Sequence, residues 1–368
     1  MGGMSTVTPP LEAIPYDIVS ASDYEQRARA HLDDNAWAYL QGAAADELTL
    51  AANVDAFRRR RLLPRVLRDL RQGHTRCRLF DDELEHPLLL APLAYQRLFH
   101  PDGELASALA AGVMGSAMVV STLATYTLED IASQARGPLW FQLYWQGERE
   151  RSLALVRRAE AAGYRALVVT VDAPVSGVRN REQRAGFRLP PGIVAANVAT
   201  TMGHGKGLEP RGIFAGLMAV APTWDDIAWL RSQTRLPLLL KGILHVDDGR
   251  LARELGVDGI VVSNHGGRVL DTTPASLDLL PAFRATLGER FTLLVDGGIR
   301  RGSDVFKAIA CGADAVMIGR PYAHALAVAG ALGVAHLLKL LRQELEACMA
   351  LCGCADLAAI NAGYLCSD

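Results

Sequence analysis

The sequence predicts an α/β fold, a (β/α)8 TIM barrel, from two observations. Eight short apolar runs recur after residue 80, and stretches with helical spacing of apolar residues, such as Arg151–Ala162 and Asp248–Leu255, lie between them. Runs that are hydrophobic without strict alternation suit parallel strands buried on both faces. The predicted strands are Leu88–Ala91, Ala117–Ser121, Leu139–Tyr144, Ala166–Asp172, Pro237–Gly242, Gly259–Asn264, Thr292–Asp296 and Ala315–Gly319.

A doubly wound open sheet is the main alternative for such a pattern. It is disfavoured because eight βα units suit a closed barrel and because no GxGxxG turn follows the first strand. We expect one domain overall. Residues 1–80 would form an N-terminal helical segment packed on the barrel, and residues 81–368 the barrel itself.

The spacing of the strands breaks once, after the fourth strand. Between Asp172 and Pro237, a loop of about 50 residues rich in Gly, Pro and Ala precedes a helix that starts near Thr223. Loops of this length in compact domains are usually lids or binding loops, or are disordered. Because it follows a barrel strand, we expect this loop to rise from the face that carries the site.

Composition narrows the class of ligand. Lys and Arg number 38 against 40 Asp and Glu, so the chain lacks the basic excess typical of proteins that bind nucleic acid or anionic membranes. Its apolar stretches are strand-sized and its N-terminus has no secretory pattern. We therefore expect a cytoplasmic protein with a small-molecule ligand and no membrane anchor.

Six cysteines are too few for a disulfide scaffold in a chain of this size. Three of them, Cys348, Cys352 and Cys354, cluster near the C-terminus. A metal or redox site is one interpretation, but no fourth ligand lies at a characteristic spacing. We favour small core residues and expect no metal.

The carboxyl ends of the predicted strands are polar, and barrel enzymes place their reacting groups there. A single polar residue at such a position can simply cap the end of a strand or the start of a helix. Capping does not explain why so many polar residues converge at one end of the barrel. They are Gln142, Tyr144, Thr170, Asp172, Lys241, the run from Ser263 to Arg268, the run from Asp296 to Arg300, Gly319 and Arg320.

The last two strands end in a pattern that suits phosphate. In Asp296–Arg300 and Gly319–Arg320, glycines let backbone N–H groups approach phosphate oxygens, and arginines supply paired donors. Lys241 lies in an otherwise apolar strand, so its charge needs an anionic partner. That partner is either an internal carboxylate or a cofactor that acquires negative charge.

His265 lies on a turn with two glycines and Arg268. Histidine titrates near neutral pH and can accept a substrate proton, and Asp172 is a candidate to orient it. Arg268 and Arg179 are candidates to hold a substrate carboxylate through paired hydrogen bonds. The pattern indicates proton abstraction from a positioned acid beside an electron acceptor, with a structural histidine as the alternative.

The chain resembles the FMN-dependent 2-hydroxy acid oxidase and dehydrogenase family from about Ile18 to Leu365. The family includes glycolate oxidase, lactate oxidase and mandelate dehydrogenase, and APLAYQRLFHPDGEL and RSLALVRRAEAAG look closest to hydroxymandelate oxidases. The most specific segments are SNHGGRVLD (Ser263–Asp271), LVDGGIRRGSDVFKA (Leu294–Ala308), LPLLLKG (Leu236–Gly242), WFQLYW (Trp140–Trp145) and QGAAADELTL (Gln41–Leu50).

The resemblance implies a role for each matching residue. His265 would be the base, Asp172 its partner, and Tyr144 a contact of the substrate hydroxyl or developing carbonyl. Arg179 and Arg268 would hold the carboxylate, and Lys241 would stabilise the reduced, anionic flavin. Contacts to the flavin ring or ribityl chain would come from Pro92, Leu93, Ala94, Ser121, Gln142, Thr170 and Ser263, and contacts to the ribityl chain and phosphate from Asp296, Gly297, Gly298, Arg300, Gly319 and Arg320.

Two positions depart from the glycolate oxidase pattern. Counting back from Gln41, Ala38 stands where that enzyme has a carboxylate-binding tyrosine, and Leu123 stands where it has a tryptophan over the pocket. Both changes enlarge the predicted pocket and favour an (S)-2-hydroxy acid with an aryl group, such as mandelate.

We expect FMN as cofactor, O2 as electron acceptor and, from the family, a homotetramer. Three alternatives stay open. One is a soluble dehydrogenase that uses another acceptor, the second is an oxidase of small acids such as lactate or glycolate, and the third is a flavin-binding protein without activity. The complete set of catalytic residue types argues against the third.

Overall fold

The structure is a computed structural model that describes residues 7–198 and 212–367. The N-terminal segment consists of α1 (Ala21–His31), α2 (Asp34–Gln41), α3 (Leu48–Arg59), β1 (Arg60–Leu62), β2 (Cys77–Leu79) and β3 (Asp82–Leu84). Side chains of Ser20 and Asp33 cap α1 and α2 at their first turns. Tyr24 and Phe57 belong to the same buried cluster as the barrel. The division near residue 80 stays a prediction.

Eight parallel strands form a closed barrel, as predicted. They are β4 (Leu88–Leu90), β5 (Met118–Ser121), β6 (Leu139–Leu143), β7 (Ala166–Thr170), β8 (Leu238–Ile243), β9 (Gly259–Val262), β10 (Thr292–Asp296) and β11 (Ala315–Ile318). The ring closes where β11 pairs with β4, with Ile318 opposite Leu90. Each element lies within a residue or two of its predicted position, because continuous apolar runs are the signature of strands covered on both faces.

The barrel interior is a packed core that the β2–β3 hairpin covers at the amino-terminal end. Leu79 and Leu84 of the hairpin join a cluster of inward-facing strand residues that includes Trp140. The indole Nε1 of Trp140 donates to Asp82 over 3.0 Å, so this buried N–H group has a partner. The opposite end of the barrel is left for a ligand.

Helices cover the outside of the barrel. They are α4 (Gly103–Val113), α5 (Leu128–Gln134), α6 (Arg149–Ala161), α8 (Trp224–Gln233), α9 (Val246–Glu254), α10 (Ser276–Leu287), α11 (Gly302–Ala310) and α12 (Arg320–Cys352). The short helix α7 (Asn180–Arg184) instead packs against α2 beside the cavity. Capping explains where several begin: Thr223 and Asp226 form a capping box at α8, which confirms the predicted start.

The helix α12 departs from the expectation that apolar stretches are only strand-sized. It spans 33 residues, with a kink at Ala329 and Gly330, and by length and composition alone is long enough to cross a membrane. However, 67% of its most apolar window is buried inside the protein, where it packs against α1, α4 and α11. The expectation was wrong because buried helices of a barrel can be apolar on most of their surface.

The chain after α12 returns to the N-terminal segment. Its last strand, β12 (Leu365–Ser367), pairs antiparallel with β1. Cys348 and Cys352 are buried on α12, and Cys354 is buried just after it. Within residues 7–198 and 212–367, no group of His, Cys, Asp and Glu side chains is arranged to hold a metal ion.

The long connection after β7 is described for residues 171–198 and 212–223. Its first part carries α7, and its second part contains a π-helical turn, Ile213–Leu217, followed by a 3-10 turn, Met218–Val220. Residues 199–211, the centre of the predicted Gly- and Pro-rich loop, lie outside the described residues.

Candidate active site

A cavity of about 760 Å³ opens at the carboxyl ends of the barrel strands. Predicted residues from all parts of the sequence line it: Pro92, Leu93, Ala94, Ser121, Leu123, Tyr144, Thr170, Arg179, Lys241, His265, Arg268, Asp296, Gly297, Gly298, Arg300, Gly319 and Arg320. Asp172, Gln142 and Ser263 lie directly behind this wall and hydrogen-bond to residues in it. The fold therefore brings the predicted catalytic, carboxylate-binding and cofactor-binding groups to one place.

One predicted substrate-binding residue is misplaced. Ala38 is buried on α2 and does not line the cavity, whereas Tyr39 does. Adjacent residues of a helix point about 100° apart, so only one of the two faces the site. The Tyr39 ring stacks on Phe187 with centroids 4.8 Å apart, and the Arg268 guanidinium lies 5.0 Å from its centroid. The prediction that the tyrosine is missing here was wrong.

The turn from His265 to Gly267 places the imidazole. His265 has φ 58°, in the left-handed region that non-glycine residues seldom occupy, and Gly266 and Gly267 have φ 63° and 75°. The Asn264 side chain accepts a hydrogen bond from the Gly267 N–H and so holds the turn. A left-handed histidine costs about 1–3 kcal/mol, and such strain clusters at functional sites.

His265 lies between a carboxylate and a phenol. Its Nδ1 is 3.0 Å from Asp172 Oδ1, and its Nε2 is 3.3 Å from the Tyr144 hydroxyl. A carboxylate at Nδ1 favours the tautomer with the proton on Nδ1, which leaves the lone pair of Nε2 toward the cavity. The arrangement orients His265 to accept a proton at Nε2.

The surroundings of His265 keep one neighbour, Asp172, ionised and the other, Tyr144, protonated. Burial acts to raise the pKa of Asp172, but the charge and hydrogen bond of His265, together with Lys241, hold it below its usual value. Burial, with the nearby Asp172 charge, raises the pKa of Tyr144, so its hydroxyl stays protonated. Asp172 can therefore stabilise an imidazolium, and Tyr144 can donate a hydrogen bond to a substrate oxygen.

Room for Asp172 comes from a glycine on the neighbouring strand. Gly242 has φ 103°, and a Cβ atom there would lie 2.4 Å from Asp172 Cγ. No side chain could occupy position 242 without displacing the carboxylate that orients His265. The two residues near the end of β8 thus have separate roles. Lys241 carries a buried charge, and Gly242 leaves room for the carboxylate that orients His265.

Lys241 is buried and has the ion-pair partner that its position requires. Its Nζ lies 2.9 Å from Asp296 Oδ2 and donates to Ser263 Oγ over 2.8 Å. Desolvation acts to lower the pKa of Lys241, but the carboxylates of Asp296 and Asp172 outweigh it and raise the pKa. The ammonium group is therefore charged and borders the cavity. Of the two anionic partners that the sequence left open, the structure contains the internal carboxylate, Asp296.

Two arginines at the other end of the cavity face it without a carboxylate partner. Arg320 donates to the backbone oxygens of Leu40, Gly42 and Gly266, and Arg300 donates to that of Ile299. In the described part of the chain, neither guanidinium forms an ion pair. Desolvation and the charges of Arg268 and Arg300 lower the pKa of Arg320 to about 9.

An anionic phosphate fits this end of the cavity. It would supply about two negative charges to the two buried guanidiniums and accept their remaining N–H groups. Two buried polar atoms at the cavity wall, Gln142 Nε2 and Asp296 Oδ1, have no hydrogen-bond partner within the protein. Buried polar atoms normally have partners, so a bound ligand would satisfy them. These groups match the polar edge and ribityl chain of FMN, so the residues present suit that cofactor.

Arg179 and Arg268 meet a carboxylate that the sequence prediction did not include. Glu182 Oε1 lies 3.3 Å from Arg179 Nη1 and 3.1 Å from Arg268 Nη2. Glu182 lies three residues after Arg179, a spacing that predicts an ion pair between these two residues at the start of α7. The sequence alone does not show that Arg268 also contacts Glu182. Tyr39 and Glu182 are therefore among the site residues that the sequence prediction missed, as are the apolar lining residues Tyr95, Phe99, Val175, Phe187 and Leu189.

Comparisons with known proteins agree with this geometry. The pattern of one family, described as FMN-dependent dehydrogenase, matches residues 28–367. The chain belongs to this family. It is 51% identical over 355 residues to an L-lactate oxidase of Alicycliphilus denitrificans, covering 96% of this chain and 97% of the relative. It is 45% identical over 344 residues to a 4-hydroxymandelate oxidase of Amycolatopsis orientalis, covering 93% and 96%.

A solved structure agrees at the level of the fold. Mandelate oxidase with benzoyl-formic acid superposes with a TM-score of 0.87 at 43% identity, covering 95% of this chain and 98% of that one. Membership of the family establishes FMN as the cofactor and the oxidation of 2-hydroxy acids as the activity. Similar relatives act on small and on aryl acids by name, so the family does not fix the substituent.

Proposed function

We propose that the protein oxidises an (S)-2-hydroxy acid that carries an aryl group to the 2-oxo acid, with O2 as the final electron acceptor. The observation that carries the aryl preference is the wall of the cavity beside His265. Apolar and aromatic side chains line the cavity that also holds His265, and we assign to them the space for the substituent on the α-carbon: Tyr39, Tyr95, Phe99, Leu123, Val175, Phe187 and Leu189.

The protein groups divide the reaction between them. Arg179 and Arg268 bind the substrate carboxylate, and Tyr144 donates a hydrogen bond to the oxygen on the α-carbon. His265 accepts a substrate proton at Nε2, and Asp172 stabilises the resulting positive charge. When bound, FMN supplies the acceptor for the two electrons that the substrate loses.

Apolar burial supports the larger substituent. An aryl group against the aromatic wall buries apolar surface worth about 25 cal/mol per Å², and ring pairs add about 0.5–1.5 kcal/mol. A methyl group leaves part of the same space to water. Because Tyr39 occupies the position assigned to Ala38, the extra room depends on Leu123, which lies at the end of β5 and lines the cavity.

L-Lactate is the second candidate substrate. The relative that is 51% identical over 96% of this chain is named an L-lactate oxidase. A lactate-sized acid uses the same carboxylate, hydroxyl and base contacts. The two candidates therefore differ only in what fills the space beside Leu123.

A comparison of kcat/KM for glycolate, L-lactate and (S)-mandelate tests the proposal. We expect (S)-mandelate to have the highest value, and Leu123→Trp to shift the preference toward the small acids by about ten- to two-hundredfold, the range for one filled apolar subsite. Leu123→Ile, which keeps the volume, is the control. A wild-type preference for glycolate or lactate would reject the aryl proposal and leave the flavin chemistry intact.

A further inference from the structure

Glu182 is a largely buried carboxylate inside the predicted carboxylate-binding site. Its side chain is 12% exposed, and it lies within 3.3 Å of both Arg179 and Arg268. Arg181 on the same helix points outward and pairs with Glu47 instead. Gly42 packs beside Glu182, since a Cβ atom at position 42 would be in ordinary van der Waals contact with Glu182 Cγ at 3.4 Å.

The charges at this end of the cavity leave a single positive charge for a ligand. Two guanidiniums contribute +2, and the Glu182 carboxylate contributes −1. Burial and the charge of Arg179 lower the pKa of Arg268, whereas Tyr39 and Glu182 oppose that shift, so Glu182 helps keep the pair charged. One substrate carboxylate completes this neutralisation. The further cation beside the site, Arg188, is exposed, so water and salt screen its attraction for a second carboxylate more than they screen the repulsion from Glu182.

Glu182 also lies where an extended acid would have to pass. It lines the main cavity and an adjoining pocket of about 440 Å³, together with Ser176, Arg179, Phe187 and Arg188. A second carboxylate on the substrate, directed toward this pocket, approaches a fixed negative charge in a partly desolvated setting. Like charges in such settings repel strongly, because screening by water and salt is reduced.

We propose that Glu182 is a specificity residue that restricts the site to monocarboxylate 2-hydroxy acids and excludes dicarboxylates such as malate. The inference rests on the proposed function, in which Arg179 and Arg268 bind the substrate carboxylate. Glu182 contacts the arginines rather than the reacting atoms, so its effect is on the charge that the site accepts.

Binding of two unreactive acids to the holoenzyme tests this role. Calorimetric titration with propionate, a monoanion, and with malonate, a dianion, gives the ratio of their Kd values. In Glu182→Gln, each carboxylate of the ligand loses its repulsion from Glu182. Malonate has two carboxylates and propionate has one, so the affinity for malonate should rise more. We expect the ratio to shift toward malonate by roughly tenfold, a value between those for one short-range charge pair in bulk water and near a protein surface.

Other variants separate charge from structure. Glu182→Ala removes the same charge and should shift the ratio in the same direction, whereas Glu182→Asp keeps the charge and should keep the wild-type ratio. Glu150→Gln, at an exposed position in the first turn of α6, controls for total charge. Turnover should follow binding, with kcat/KM for L-malate rising relative to L-lactate in both neutral variants.

Two results would overturn the proposal. If neutral variants weaken propionate and malonate equally, Glu182 only tethers α7. If the propionate-to-malonate ratio stays at the wild-type value, its charge does not select. A failure of the proposed function looks different, because then wild-type holoenzyme would neither bind propionate competitively with substrate nor oxidise any monocarboxylate acid.

Discussion

Each end of the cavity carries a pair of arginines, and the two pairs are compensated differently. Arg300 and Arg320 donate to backbone carbonyl oxygens only, whereas Arg179 and Arg268 share the carboxylate of Glu182. The pairs nearly meet, since the carbonyl oxygen of Gly42 accepts from both Arg268 and Arg320. Arg300 and Arg320 thus have no directly bonded carboxylate, although Glu25 and Glu47 act on them at longer range, whereas Arg179 and Arg268 bond one directly.

This difference matches two different anions. A phosphate monoester carries about −1.5 to −2 at neutral pH, and a carboxylate carries −1. The arginines without a directly bonded carboxylate suit the cofactor phosphate, and the pair that shares Glu182 suits a substrate carboxylate beside His265. We expect this difference to orient cofactor and substrate within a single cavity, so substitutions at the two arginine pairs should have separable effects.

The largest effect is expected at the reacting end. His265→Gln should retain FMN but slow flavin reduction by about 10²- to 10⁴-fold, the range for loss of a general base. Neither Arg300 nor Arg320 hydrogen-bonds to the His265 side chain, so FMN affinity should change little. Rapid mixing with substrate without O2 measures the rate, and His245→Gln, an exposed histidine before α9, is the control. Reduction at the wild-type rate would remove His265 from the mechanism.

At the phosphate end we expect a smaller effect, which falls on FMN binding and not on the rate of flavin reduction. Arg320→Ala should raise the Kd for FMN by about ten- to a hundredfold, because one charge-assisted contact worth about 1.5–3 kcal/mol is lost. The reduction rate of the remaining holoenzyme should be nearly unchanged. Fluorescence titration of apoprotein with FMN measures the Kd. The matched control is Arg301→Ala, since Arg301 is half exposed and pairs with Glu344. Unchanged FMN affinity with lost turnover would contradict the assignment.

Sequence reasoning worked best where one residue type has one physical explanation. The strands were predicted because apolar runs of strand length mean burial on both faces, and polar residues at their ends then had to converge. The His265–Asp172 contact joins residues far apart in sequence, yet it follows from this convergence. The same logic placed Lys241 beside an anion and left the identity of that anion, Asp296, open.

The errors have a common physical origin in side-chain direction. Ala38 was chosen over Tyr39 by counting residues, and only the orientation of α2 decides which of them faces the cavity. Glu182 was missed because its second partner, Arg268, belongs to another strand end. The long apolar stretch of α12 was not weighed against the strand-sized runs, and its burial depends on three neighbouring helices that the sequence does not show.

The most direct test of the central claim is an anaerobic titration of the yellow holoenzyme with (S)-mandelate, followed by admission of air. We predict that the flavin absorbance bleaches with one equivalent of acid per FMN and that O2 restores it, whereas (R)-mandelate leaves it unchanged. If no 2-hydroxy acid, including L-lactate and glycolate, bleaches the flavin, the account of His265 and the arginine pairs as machinery for oxidising 2-hydroxy acids is wrong.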